Sequence, residues 1–170
     1  MATAKSKKKK KRLDSKLESA GAEFLVLGMM LVEGIECHKT YTNNPAFDLV
    51  AVNALRNTSA RIQVKSRYAT DFDGGFLISK FDNDFVVLAK LNRGFHYSKK
   101  HKAKEAANGG KLAPELFVIP TKVVKDARYK KSSWGKTYLK SIPNYEMYRE
   151  KWQLIREFLN AAEPRKHALL

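Results

Sequence analysis

Residues 46–67 read AFDLVAVNALRNTSARIQVKSR, and how this stretch pairs with itself decides the fold. Asp48, Val50 and Val52 share one strand face, while Phe47, Leu49 and Ala51 take the other. In 60–67 the same alternation puts Arg61, Gln63, Lys65 and Arg67 on one face and Ile62, Val64 and Ser66 on the other. LRNTS between the runs is a turn, so the two strands are expected to form an antiparallel hairpin. A hairpin folding near residue 56 or 57 brings Asp48 roughly opposite Lys65, with Gln63 close by. A single acid in an apolar strand then has an amine and an amide for neighbours. A structural ion pair with Lys65 accounts for this pattern. So does a site that handles phosphate.

The chain has 170 residues, enough for one domain with a substantial core, and 44% of them are hydrophobic. Its net charge of +16 is unusual. Residues 1–16 carry eight Lys or Arg against Asp14 and supply +7; the other +9 is spread over the body, densest at 90–104 and 122–136. A basic body as well as a basic tail points to a polyanionic partner, because each cation that neutralises a phosphate releases a counterion. The lysine run taken alone reads equally well as a solvated arm. Cys37 is the single cysteine, which excludes an intramolecular disulfide and a four-cysteine zinc site. The apolar run FLVLGMMLV at 24–32 is too short to span a bilayer, and no basic amphipathic helix or lipidation signal accompanies the lysines. No membrane partner is expected, and a cytoplasmic protein is the simplest reading.

Residues 1–16 are expected to form a basic disordered tail, 17–162 the folded domain and 163–170 a short C-terminal tail. A helix is predicted from Leu17 to Glu33, stopped by Gly34. Val26 and Met30 widen its apolar surface, so the helix is expected to be covered over most of its circumference. Glu23 sits inside that apolar band, and a carboxylate there needs a partner or a job. Beyond the hairpin, IECHKTY at 35–41 and the segments 76–80, 84–92 and 116–120 read as strands. HYSKKHKAKEAANGGK reads as a flexible basic loop. A last helix is predicted over 144–161 with Asn144 as N-cap and Tyr148, Trp152, Ile155 and Leu159 along one face. Helix, strands and helix in that order imply a mixed α/β layer structure.

Phosphodiester hydrolysis needs a divalent cation held by oxygen ligands, and a cation near the attacking water or the developing oxyanion helps. Asp48 and Glu23 offer carboxylates, Gln63 a carbonyl oxygen and Lys65 an ammonium. A helix glutamate followed by AFDLVAV, a short turn and RIQVKSR resembles the PD-(D/E)xK nuclease superfamily, which includes many restriction enzymes and archaeal Holliday-junction resolvases. The likeness covers roughly 18–160 and extends to PELFVIPTKVV, SSWGKTYLKSI and YREKWQLI, which resemble a group of small bacterial proteins in that superfamily. It implies an α/β fold with a restriction-endonuclease-like core, a central mixed β-sheet flanked by helices. It also implies a metal-dependent DNA endonuclease using Mg²⁺ or Mn²⁺, with Glu23, Asp48, Gln63 and Lys65 in the four motif positions. Asp48, Glu23 and Gln63 would then hold the metal, and Lys65 would orient water or stabilise the transition state. Ser66, Arg67 and the loop residues Lys99, Lys100, Lys102, Lys130 and Lys131 would hold the nucleic-acid backbone, of DNA or of RNA. Members that cut both strands often dimerise, so the resemblance allows a homodimer.

Two departures stand out. Phe47 occupies the position of the motif's proline, and Gln63 that of its second acid. An amide oxygen still ligates a hard cation but attracts it less and cannot act as a base, so Glu23 becomes the second anionic ligand. The alternative is a catalytically inactive nucleic-acid-binding protein on the same scaffold, and a third reading is an adaptor whose tail binds RNA or an acidic protein. Asp71 and Asp73 beside Gly74 and Gly75 read as a turn, and His96 and His101 as basic-loop residues near phosphate. Tyr129, Trp134 and Tyr138 interleave with Lys130, Lys131 and Lys136, which suits stacking on bases as well as packing of the last helix. No phosphate-cradling GxxxxGK[ST] and no GxSxG elbow is present.

Overall fold

The computed structural model describes residues 14–41, 46–72, 74–96, 107–128 and 135–161. Helix α1 spans Ser15–Val32, two residues earlier than its predicted start. Asp14 is its N-cap and accepts the backbone N–H of Lys16 and Leu17, while Glu18 in the first turn suits the positive end of the helix. Gly34, at φ 72°, ends it: the Ile35 N–H reaches Met30 O and the Gly34 N–H reaches Leu31 O, the paired bonds of a Schellman cap.

The main sheet has five strands in the order β1 (Cys37–Lys39), β2 (Leu49–Asn53), β3 (Thr58–Arg67), β5 (Phe85–Lys90) and β6 (Glu115–Pro120). Pairing is antiparallel except between β3 and β5, which run parallel, so the sheet is mixed. A separate two-stranded ribbon joins β4 (Gly75–Leu77) to β7 (Lys136–Tyr138). Helix α2 (Thr121–Asp126) follows β6 directly, and α3 (Gln153–Ala161) closes the described chain. Neither α2 nor β7 is evident in the sequence, because each is too short for its periodicity to show.

Two cores flank the sheet. On one face Ala22, Val26 and Met30 of α1 and Trp152, Ile155 and Leu159 of α3 pack on Leu49, Ala51, Ile62, Val64 and Val87. On the other, Phe76, Val124, Leu139 and Ile142 cover Val86, Leu88, Phe117 and Ile119. The sheet is thus sandwiched between helices on one side and a layer of ribbon and short helices on the other.

Three expectations change. Helix α1 is not covered over most of its circumference: Leu17, Phe24, Leu31 and Val32 are exposed, and only the stripe Ala22, Val26, Met30 is buried. A helix lying on one sheet face buries one stripe, whatever the composition of its remainder. The single helix expected over 144–161 is broken. Tyr145–Tyr148 form a 3₁₀ turn, Asn144 (φ 50°) makes no side-chain cap, and Glu150 sits at φ 49°. The reason is that Tyr148 packs in the second core and Trp152 in the first, so the chain must pass the β6 edge between them. That passage is pinned at β6, where Arg149 bridges to Phe117 and the Glu150 N–H bonds Leu116 O at 2.9 Å. Burial raises the Glu115 carboxyl there, but hydrogen bonds from Lys90, Arg149 and Asn92 outweigh it and hold it at about 2. The third change is the hairpin register. Leu49 lies opposite Ile62, so Asp48 is level with Gln63 in the extended register and not with Lys65. The connection is a 3₁₀ turn at Ala54–Arg56 with Asn57 left-handed at φ 52°, a shorter link than the predicted turn, and it moves the pairing by two residues.

Trp152 is 1% exposed and its indole N–H donates to Glu150 at 2.8 Å, so it anchors α3 at the crossing. Trp152→Ala is expected to cost about 3–5 kcal/mol of unfolding free energy in urea denaturation, the usual range for emptying an aromatic site.

Candidate functional site

Strand β3 has ten residues and β2 five, so β2 pairs only with Thr58–Ile62 while β5 accompanies β3 from Ile62 to Arg67. Among the described residues no strand lies beside β3 on the β2 side past Ile62. Asp48, the residue just before β2, fills the first gap: its Oδ2 accepts the Val64 N–H at 2.7 Å, where a continuing strand would have supplied a carbonyl. Among the described residues its other oxygen has no protein donor. The Thr40 N–H and hydroxyl both donate to Asp48 O, at 3.0 and 2.9 Å, which fixes its backbone.

The N-terminal half of α1 lies over this open edge, and the Ser66 hydroxyl donates to Glu18 at 2.8 Å. An open cavity of about 320 Å³ results, lined by Ser19, Glu23, Asp48, Val64, Lys65, Ser66, Arg67 and Leu77. A cavity of about 360 Å³ near the hairpin tip has only Glu36 and Arg156 as charged lining and no carboxylate pair. Of the two, the smaller cavity is the one that brings acidic and basic side chains together.

Its electrostatics are those of charges held in a half-dry space. Burial pushes the Asp48 carboxyl above its ordinary value; the Val64 N–H opposes this, Glu23 adds to it, and Lys65 and Lys39 oppose it. Burial likewise pushes Lys65 below its ordinary value, against Asp48 and with Arg67, while Glu23 pulls it back. Two carboxylates, Glu23 and Asp48, on the wall of one cavity offer oxygen ligands to a cation. Magnesium needs one or two protein carboxylates and takes water and substrate phosphate for its remaining ligands, so Glu23 and Asp48 fit it. Among the described residues no group of three or more His, Cys, Asp or Glu forms a closed metal cage.

Of the residues singled out in the sequence, Glu23, Asp48, Lys65, Ser66 and Arg67 line the one cavity. Gln63 is 6% exposed and does not line it. Arg67 spends its Nε on Gly75 O and one terminal nitrogen on Ser66 O, and lies 5.0 Å over the Phe72 ring, so it ties β4 to the end of β3. Asp71 lies in a turn closed by the Phe72 N–H on Ala69 O at 3.4 Å, and its carboxylate accepts the His96 N–H at 2.9 Å. Lys99, Lys100, Lys102, Lys130, Lys131, His101, Asp73, Tyr129 and Trp134 lie outside the described residues. Among the described residues no helix is long and apolar enough to cross a membrane.

Lys39 was not singled out, yet its ammonium pairs with Glu23 and its charge acts on Asp48. The signal is in the β1 alternation: Ile35 and Cys37 are buried in the core under α1, and Lys39 is next on that face.

No family model matches the chain, and no curated protein matches it. A search of solved structures finds a bacterial homing endonuclease, I-Ssp6803I, with a TM-score of 0.53 and 19% identity over 88% of this chain and 96% of that one. At that identity the likeness establishes a shared fold: a mixed five-stranded sheet flanked by helices, as in an endonuclease.

Because folding raises the proton affinity of Asp48, its favourable contribution is complete below the ordinary carboxylate range and is lost as pH rises through the raised value. Asp48→Asn keeps an oxygen for the Val64 N–H and removes the charge. It is therefore expected to be more stable than the native protein at pH 7, with the gap closing as the pH falls, in paired thermal melts.

Proposed function

We propose that this protein is a metal-dependent endonuclease that hydrolyses phosphodiester bonds in DNA. The observation that carries the reading is the meeting of Glu23, Asp48 and Lys65 in one cavity at the open end of β3. The charge of +16 and the fold shared with a homing endonuclease support it. On this reading Glu23 and Asp48 would hold Mg²⁺ or Mn²⁺, with water and substrate phosphate as the remaining ligands. The cation supplies Lewis acidity to the scissile phosphate and to water.

The chain's own groups do the rest. Lys65 donates hydrogen bonds to the attacking water and to the phosphoryl oxygen where charge develops. Its lowered proton affinity makes it an easier donor than an exposed lysine. Asp48 keeps its orientation through the Val64 N–H, so it does not have to be ordered when substrate arrives. Ser66 and Arg67 hold the end of β3 against α1 and β4, and with it the cavity wall. Basic side chains outside the cavity hold the DNA backbone. Cutting both strands of a duplex calls for two such cavities, and hence a homodimer on the DNA.

A second reading has one specific observation behind it. The Lys39–Glu23 pair, and the absence among the described residues of three His, Cys, Asp or Glu grouped to hold a metal, suit a scaffold that binds nucleic acid without cutting it. Incubation of the purified protein with single-stranded, duplex and branched DNA, with and without Mg²⁺ or Mn²⁺, separates the two. Metal-dependent cleavage that falls at least about 100-fold in both Asp48→Ala and Lys65→Ala is expected. Binding to all three DNAs with no cleavage of any would leave the second reading standing.

A further inference from the structure

Lys39 reaches the acidic pair from β1. In β1 it is paired with Leu49, and the next residue, Thr40, donates its N–H to Asp48 O at 3.0 Å. Its ammonium contacts a Glu23 oxygen, and the two side chains are only 15% and 18% exposed. The Phe24 and Tyr41 rings lie 5.6 and 6.0 Å from the same nitrogen, so the charge is held on a carboxylate between two aromatic faces. Lys39 also acts electrostatically on Asp48.

We infer that Lys39 is a resident counter-cation of the Glu23–Asp48 pair, so that a divalent cation binds well only together with a nucleic-acid backbone. The inference rests on the reading of Glu23 and Asp48 as cation ligands. Three acids, Glu18, Glu23 and Asp48, stand against three cations, Lys39, Lys65 and Arg67, around this cavity, so without nucleic acid the formal charges cancel and no net negative charge draws a divalent cation. A phosphodiester backbone that engages Lys65 leaves the acids in excess and so favours the cation. Coupling of this kind is reciprocal: the backbone tightens the metal by the same factor that the metal tightens the backbone. A partly exposed ion pair that merely fastened β1 to α1 would contribute little to stability and nothing to such coupling.

Lys39→Met removes the charge and keeps an apolar stem under the Phe24 and Tyr41 rings, whereas Lys39→Arg keeps the charge. Mn²⁺ binding to the full-length protein without DNA is read from the electron paramagnetic resonance signal of free Mn²⁺, with Asp48→Asn to mark binding at this site. Lys39→Met is expected to bind Mn²⁺ at least tenfold more tightly than the native protein, and Lys39→Arg no more tightly. Fluorescence anisotropy with a labelled duplex and Ca²⁺ in place of Mg²⁺ gives the coupling. Ca²⁺ should tighten DNA binding in the native protein, and by a smaller factor in Lys39→Met. Thermal melts confirm that each variant is folded. If Lys39→Met binds Mn²⁺ as weakly as the native protein or more weakly, while Asp48→Asn abolishes that binding, the lysine merely positions Glu23 and the inference fails alone. If no variant shows Asp48-dependent Mn²⁺ binding with or without DNA, the nuclease reading fails and takes the inference with it.

Discussion

At Val64 a backbone N–H loses its strand partner and a side-chain carboxylate takes over. β2 stops at Leu49 while β3 continues to Arg67, and the Asp48 carboxylate bonds the first amide left over. An unpaired donor inside the sheet would be costly, so this bond is needed for the fold before any function is considered. It also fixes where the candidate site forms. Asp48 is held in the sheet, Lys65 is the next residue after the bonded amide, and the turn of α1 that carries Glu23 faces the same gap. The parallel neighbour β5 stays paired with β3 from Ile62 to Arg67, so one side of the ladder continues past the end of β2.

The cavity costs stability. The side chains of Glu23, Asp48, Lys39 and Lys65 are kept partly away from water, and burial shifts both Asp48 and Lys65 toward their neutral forms. Lys39 offsets part of the repulsion between the acids by sitting on Glu23. Strain of this sort is expected where a protein must hold charges ready for a ligand that supplies the missing ones. Against the second core, Glu115 is matched by Lys90, Arg149 and Asn92, a charged set that pins the passage of the chain past β6.

Much of this was legible in the residues. Alternation over 60–67 gave β3, its two faces and the hairpin with β2, since a side-chain period of two leaves few other structures. Glu23 stood out because a carboxylate in an apolar helix must be partnered. The register could not be read, because it depends on a 3₁₀ turn and one left-handed asparagine whose composition is that of many longer turns. The break before α3 was hidden for a different reason: Tyr148 and Trp152 have helical spacing but belong to opposite faces of the sheet, which periodicity cannot register. Lys39 was missed since its partner is sixteen residues away and on another element. Gln63, the departure from the superfamily pattern, is the position where sequence and structure pull apart most. Its residue type fits the ligand set, yet it is buried off the cavity wall.

The most direct test of the account is a crystal structure of the full-length protein with Mn²⁺ and a duplex made uncleavable at its phosphates, with the anomalous signal of manganese mapped. The account predicts a peak between the carboxylates of Asp48 and Glu23, with a phosphate of the duplex on the Lys65 side. Manganese bound elsewhere, or a duplex whose backbone stays clear of the end of β3, would contradict it.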